Sequence, residues 1–326
     1  MAGTKPTTKP TTTWLVGDIG GTNARFGLVS PDGELLHSRV LADADYPGIG
    51  EAIEAYLAER GGLPRPRRGA IAIASAIAGD EVRMTNHPWT FSIAGLQKRL
   101  RFQRLEVIND FTAQALALPR LRDGDKVAVG GGKAETGYPI GVLGPGSGLG
   151  VSGLIPSGER WLPLAGEGGH ATMPPFTARE GAVLDVMRKR FDHVSAERVI
   201  SGPGIVNLYN SLAAVDGVPA KQYTAAQITD AKIGSEDALC GEATEMFCAM
   251  LGTVAGNLAL TLGAKGGVYI GGGIIPRLGE RFAASPFRQR FEAKGRFRDY
   301  LAAIPTFVVT HNLPAFLGCT AALAQR

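Results

Sequence analysis

The feature that most constrains this chain is a structural plan written twice. Leu15-Val-Gly-Asp-Ile-Gly-Gly-Thr-Asn-Ala-Arg-Phe-Gly-Leu-Val29 reads as a strand (14–17), a glycine-rich turn (18–23) and a strand (24–30). A Pro31-Asp32-Gly33 turn and a third strand (34–41) follow. From Ile140 the plan recurs as a strand (140–144), a glycine-rich turn (145–148) and a strand (149–155). A Pro156-Ser157-Gly158 turn and a strand (159–164) complete it. Two such units, one in each half, predict a duplicated fold with two facing hairpins. Glycine permits positive φ and close backbone approach, so successive N–H groups can converge on an anion. The expectation is a phosphate held between two lobes.

The chain has 326 residues, enough for two domains that each bury a core. Its 44% hydrophobic and 20% charged content is ordinary for a globular protein. The 45 glycines are about twice the usual share and cluster at strand ends, pointing to backbone-lined ligand sites. Cys240, Cys248 and Cys319 lack CxxC spacing, which argues against a disulfide framework or a cysteine zinc site and fits a reducing cytoplasm. Cys240 and Cys248 read as small core residues of a helix. No apolar run is expected to span a membrane, and residues 1–13, rich in Lys, Pro and Thr, read as a disordered tail rather than a secretory signal. The net charge of +4 is spread among acids, as between Arg277 and Arg298 where Glu280 and Glu292 intervene. A solvated surface, not nucleic-acid binding, follows.

Beyond the first repeat, the pattern predicts a helix over 49–59, a buried strand over 69–78 and a helix over 92–100. A short strand over 105–108 and a helix over 111–118 stopped by Pro119 come next. A domain crossing falls in 119–125, giving a small domain over 14–119 and a large one over 120–311. After the second repeat, Thr177 and Glu180 form a capping-box pattern for a helix running to about Arg190. Ile205, Leu208, Tyr209 and Leu212 mark another helix. A long one is expected over 235–262, then a strand over 267–270. The segment 312–326 reads as a helix returning to the first domain. Strands alternating with helices give the α/β class.

Several positions carry chemistry, each with a bland alternative. Asp18, Gly20, Gly21 and Thr22 form the first candidate phosphate turn, where Asp18 suits a Mg2+-bound water; a plain hairpin turn is the alternative. Gly146, Ser147 and Gly148 form the second, with the Ser147 hydroxyl at its tip. Gly148, Gly150 and Gly153 also satisfy GxGxxG, but strand, not helix, follows, so the dinucleotide fingerprint is not met. Lys133 does not complete a Walker A motif. Asn109-Asp110 ends a buried strand, where a carboxylate suits either a ligand in the crevice or a helix N-cap. Glu167 and His170 share a glycine-rich loop suited to hydroxyl recognition, although a lone histidine is more often structural. Glu197 is equally a first-turn acid favoured by the helix dipole, and Asn86 is similarly ambiguous. Around Gly272, glycines flank a strand where adenine could lie against backbone, or where tight packing alone demands them.

Taken together, GDIGGTNARF, TNHPWTFS, VINDFTAQALALP, GPGSGLGV, GEGGH, HVSAERVISGPGIVNLY and GGVYIGGGIIPR, in that order, resemble the bacterial ATP-dependent glucokinases. These belong to the hexokinase–actin–sugar-kinase superfamily, and the resemblance runs from about Trp14 to Leu323. It implies a two-lobe, ribonuclease H-like or actin-like ATPase fold with an interlobe active-site cleft. It implies transfer of the ATP γ-phosphoryl group to the 6-hydroxyl of D-glucose, the entry step of glycolysis. Gly17, Asp18, Ile19, Gly20, Gly21 and Thr22, with Gly146, Ser147, Gly148 and Gly272, would bind ATP, and Asp18 would hold Mg2+ through water. Asp110 would be the base; Asn86, Asn109, Glu167, His170 and Glu197 would hold sugar hydroxyls. A cytoplasmic homodimer is the family pattern. Ser147 stands where relatives often carry Thr, and the next cysteine after His170 is Cys240, so the chain resembles the zinc-free branch. The competing classes are a sugar-sensing regulator on the same fold and, remotely, a nicotinamide oxidoreductase.

Overall fold

A computed structural model describes residues 12–325 and divides them into two compact units. One comprises residues up to Arg120 together with Asn312 onward; the other is Leu121–His311. The expected tail lies mostly outside the described residues. Thr13, counted in it, is instead buried and donates its Oγ1 hydrogen to the Pro64 carbonyl at 2.7 Å.

In the first unit, β1 (Trp14–Ile19), β2 (Asn23–Val29) and β3 (Leu35–Ala42) form an antiparallel meander. Parallel strands β4 (Arg68–Ile73) and β7 (Arg104–Asn109) extend the sheet, in the order β3-β2-β1-β4-β7. A separate two-stranded ribbon pairs β5 (Glu81–Arg83) with β6 (Thr90–Ser92). The near-continuous apolar runs of β1 and β4 fit burial on both faces. One face packs Ile53, Tyr56 and Leu57 of α1 (Ile49–Ala58) and Leu96 and Leu100 of α2 (Ile93–Leu100). The other packs Ala113 of α3 (Asp110–Ala117) and Phe316, Cys319 and Leu323 of the C-terminal helix Pro314–Ala324. Those two helices touch so closely that a side-chain carbon on Gly318 would collide with the Ala113 carbonyl. β4 is shorter than the apolar run predicts: the Ala74 N–H still pairs with Ile19, but Ser75 N–H turns back to the Ile73 carbonyl at 2.8 Å.

The second unit repeats the plan. Its sheet order is β11-β10-β9-β12-β13-β8, with β9 (Ile140–Pro145), β10 (Leu149–Ser157) and β11 (Arg160–Ala165) as the antiparallel meander. β12 (Val268–Ile270) and β13 (Thr306–Val309) are the parallel pair, and β8 (Lys126–Ala128) adds an antiparallel edge. The sequence reading missed β8 and β13, which are three and four residues long and lie among turn residues and cations. Helices α4 (Ala178–Arg188) and α5 (Gly202–Asp216) share a core with the helix Ala238–Leu262.

Three expectations change here. The long helix starts at Ala238, not Ser235, because Asp237 leaves helical geometry and caps it by accepting the Leu239 N–H. That helix is, by length and composition, able to cross a membrane, contrary to the sequence reading; its apolar surface is instead core, with Phe247, Met250 and Leu251 buried. The capping box of α4 is only half made. Thr177 accepts the Glu180 N–H, while the Glu180 carboxylate takes the Phe176 N–H at 2.7 Å and Arg290 at 2.7 Å.

Candidate active site

In the first unit the parallel strands β1, β4 and β7 end together, and the candidate residues sit at those ends. Asp18 is the penultimate residue of β1, and the Gly20 N–H closes the turn onto the Asn23 carbonyl at 3.0 Å. Gly17 and Ile19 lie inside the β1 ladder rather than in the turn, and both are buried. Thr22 is exposed at the tip, and Asn86, also exposed, lies against Gly21.

Asn109 and Asp110 divide the two roles the sequence left open. Asn109 is the N-cap of α3: its Oδ1 accepts the Phe111 and Thr112 N–H groups at 2.9 and 3.1 Å. Its amide donates to Asp110 Oδ1 at 3.0 Å. Asp110 is the first helical residue, and its carboxyl is pushed up to about 6, chiefly by burial, with the charge of Asp18 adding to the rise. Asp18 is raised too, by burial against the opposing pull of Arg25, whose guanidinium stands 3.9 Å away. Asp18 still keeps 36% of its side-chain surface. Both neighbouring carboxylates are half-buried and raised by burial; Asp110 is tuned toward neutral pH, and Asp18 keeps surface accessible to a hard cation.

Sequence reasoning missed Ser75. Its hydroxyl is buried, donates to the Ala74 carbonyl at 2.8 Å and accepts the Thr85 N–H at 2.8 Å. Its carbonyl accepts the Asn109 amide at 3.3 Å. One residue therefore ties the end of β4 to both the Thr85-Asn86 segment and Asn109. The available signal was a hydroxyl interrupting the apolar run from Ala70 to Ala78.

In the second unit the candidates gather around Leu149. Ser147 is exposed at the tip of the β9–β10 turn, which is closed by Gly146 N–H to the Gly148 carbonyl at 2.8 Å. The 3-10 turn Gly168–His170 lies against β10, with Glu167 and His170 exposed. Glu197, in the 3-10 turn Ala196–Arg198, accepts the Leu149 N–H at 2.9 Å. Gly272 has φ of +81°, and any side-chain carbon there would collide with the Pro145 carbonyl. Packing of β12 against β9 therefore demands that glycine whether or not adenine lies against it.

A protein-family model described as Glucokinase matches residues 15–326. A glucokinase of Paramagnetospirillum magneticum is 57% identical over 93% of this chain and 95% of its own length. The crystal structure of a glucokinase from an Antarctic psychrotroph superposes with a TM-score of 0.89 at 37% identity, covering 96% of this chain and 99% of that one. A ROK family glucokinase from Streptomyces griseus, solved with glucose and AMPPNP, shares the fold at a TM-score of 0.63 and 20% identity, over 96% and 99% of the two chains.

Proposed function

The chain belongs to the glucokinase family, and on that premise we propose how its own residues phosphorylate glucose. The donor is ATP and the acceptor the 6-hydroxyl. Asp110 takes the hydroxyl proton as O6 forms its bond to the γ-phosphorus. The bond from that phosphorus to the β–γ bridging oxygen breaks, its electron pair leaving with ADP. General-base assistance of this kind contributes ~10²–10⁴-fold.

The observation that carries the reading is the state of Asp110: a half-buried carboxyl raised to about 6, just past the end of a parallel strand, oriented by the Asn109 amide. A base is most useful when its pKa approaches the working pH. Asn86 and Asn109 in the first unit, and Glu167, His170 and Glu197 in the second, are assigned to the sugar hydroxyls. The turns 20–22 and 146–148, with Ser147, are assigned to phosphate, where backbone N–H groups neutralise charge without reorganising. Asp18, a partly exposed hard-oxygen donor, fits a Mg2+ held through water. That cation supplies charge neutralisation on the phosphates when bound. The same reading places the enzyme at the entry step of glycolysis, as a cytoplasmic homodimer; a monomeric mass by light scattering would remove the last point.

The test is ADP release by purified protein with Mg-ATP across glucose, mannose, fructose, glucosamine and no sugar. Turnover confined mainly to glucose supports donor and acceptor together. Nucleotide binding without sugar-dependent turnover favours a sugar-sensing regulator and removes Asp110 as a working base.

A further inference from the structure

Glu197 is assigned above to the sugar, yet its Oε2 is bonded to the other substrate's hairpin. Leu149, whose N–H it accepts at 2.9 Å, opens β10 immediately after the turn 146–148. The turn lies flush against the carboxylate, since a side-chain carbon on Gly148 would collide with that same oxygen. The surrounding bonds make this stretch a frame. Gly202 N–H donates to the Gly146 carbonyl at 2.8 Å, and Ser201 Oγ donates to the Glu197 carbonyl at 2.8 Å. On the other side, Ala196 N–H donates to the Ala171 carbonyl at 2.8 Å, and Ala171 N–H to the Gly168 carbonyl at 3.2 Å. Residues 196–202 thus hold both the turn 146–148 and the loop carrying Glu167 and His170.

We propose that Glu197 is a brace for the phosphate-binding turn as well as a sugar ligand, and that it couples the two substrates. Oε2 fixes the turn before any sugar arrives; Oε1, which takes no bond from the turn, meets the hydroxyl. The inference rests on the assignment of sugar and phosphate sites given above. A carboxylate accepting a backbone N–H makes a charge-assisted bond, stronger than a neutral one. Sugar binding immobilises the same side chain, so the turn is ordered once for both ligands. Preorganisation of this kind raises the affinity of whichever ligand binds second, and the coupling is reciprocal.

The experiment is calorimetric titration of the full chain with Mg-AMPPNP, first without sugar and then with saturating glucose, for wild type, Glu197→Ala and Glu197→Gln. Glu197→Ala is expected to weaken sugar-free AMPPNP binding about tenfold, from the lost charge-assisted bond. Glu197→Gln, whose amide oxygen still accepts the Leu149 N–H, should stay within about threefold of wild type. Glucose should tighten AMPPNP binding in wild type and lose that effect in Glu197→Ala. Deuterium exchange at the Leu149 amide should accelerate in Glu197→Ala alone. Unchanged sugar-free AMPPNP affinity in Glu197→Ala, with glucose affinity lost, would leave Glu197 a sugar ligand only and overturn the brace. A wild-type chain that binds no AMPPNP would overturn the phosphate assignment and the brace with it.

Discussion

The hairpin at the end of β1 and the hairpin at the end of β9 stand on sheets whose first five strands follow the same order, β8 being added in the second, but they have different surroundings. The first turn is closed by backbone bonds, through Gly20 to Asn23 and the Asp43 N–H to the Thr22 carbonyl at 3.0 Å, with Asn86 packed against Gly21. The second is gripped by a side chain, Glu197, and by the start of α5 at Gly202. The ends of the neighbouring parallel strands diverge further. In the first unit β7 runs into Asn109 and Asp110, whereas its counterpart β13 is followed by Thr310 and His311. Where β4 reaches Ala74 and Ser75, its counterpart β12 reaches Gly271 and Gly272. The repeated plan gives both units a glycine turn at the end of a strand; only the first unit adds a tuned carboxylate, and the second has close-packed backbone in its place.

That contrast breaks most readily at Asp110. Asp110→Asn is expected to cut kcat by ~10²–10⁴-fold with glucose affinity retained, measured by coupled ADP assay and sugar titration. Near-normal turnover would erase the chemical distinction between the units. The same variant should be more stable than wild type. A carboxyl raised to about 6 when folded binds its proton more tightly than the unfolded chain does, so its contribution is favourable below the unfolded value near 3.8 and is lost as pH climbs to about 6. At pH 7 the burden is up to about 3 kcal/mol, and a melting scan of Asp110→Asn should rise where one at pH 4 barely moves.

In the second unit the equivalent strain is steric. Gly272→Ala combines a positive φ with collision against Pro145, and should cost about 3 kcal/mol, read from its denaturation midpoint. Tolerance of alanine there would mean the second unit's strand ends are not as closely packed as the contrast requires. Ser75→Ala is milder: it removes the hydroxyl that accepts the Thr85 N–H, and a rise in glucose KM of about fivefold is expected, with kcat less affected. The smallest effect is on pH. Asp18→Asn removes a neighbouring negative charge that raises Asp110, so the acid limb of kcat, falling through about 6, should move to lower pH. Movement the other way would deny that the two carboxylates feel each other.

The duplicated meander was legible because strand, glycine turn and strand are all local patterns, and the bounds of β1 to β3 and β9 to β11 differ from the reading by only a few residues. Whether the Asp110 carboxylate faces a ligand or caps α3 was not, since aspartate serves both and only the backbone geometry shows Asn109 to be the cap. Ser75 went unseen because its importance lies in bonds to two segments distant in sequence, at Thr85 and Asn109. Glu197 was read as a dipole-favoured acid or a sugar ligand, and nothing local to Ala196–Arg198 reveals a bond to Leu149. Glycines were found easily but read too freely: at Gly272 the collision with Pro145 is reason enough for the residue.

The closing helix of the first unit has a consequence in time. Phe316 and Cys319 seal the face of β1 and β4, and Cys319 donates to the Gly17 carbonyl at 3.5 Å beneath the first turn. Yet residues 121–311 are synthesised between Arg120 and that seal, a wait of roughly 10–40 s at ribosomal speeds of about 5–20 residues per second. Throughout that interval α3, which carries Asp110, lacks the helix that buries its inner side. The second unit, contiguous in sequence, has all its parts before the first unit does. Translation therefore reverses the usual amino-to-carboxyl order of completion for these two units, and the unit carrying Asp110 is completed after the one that begins later.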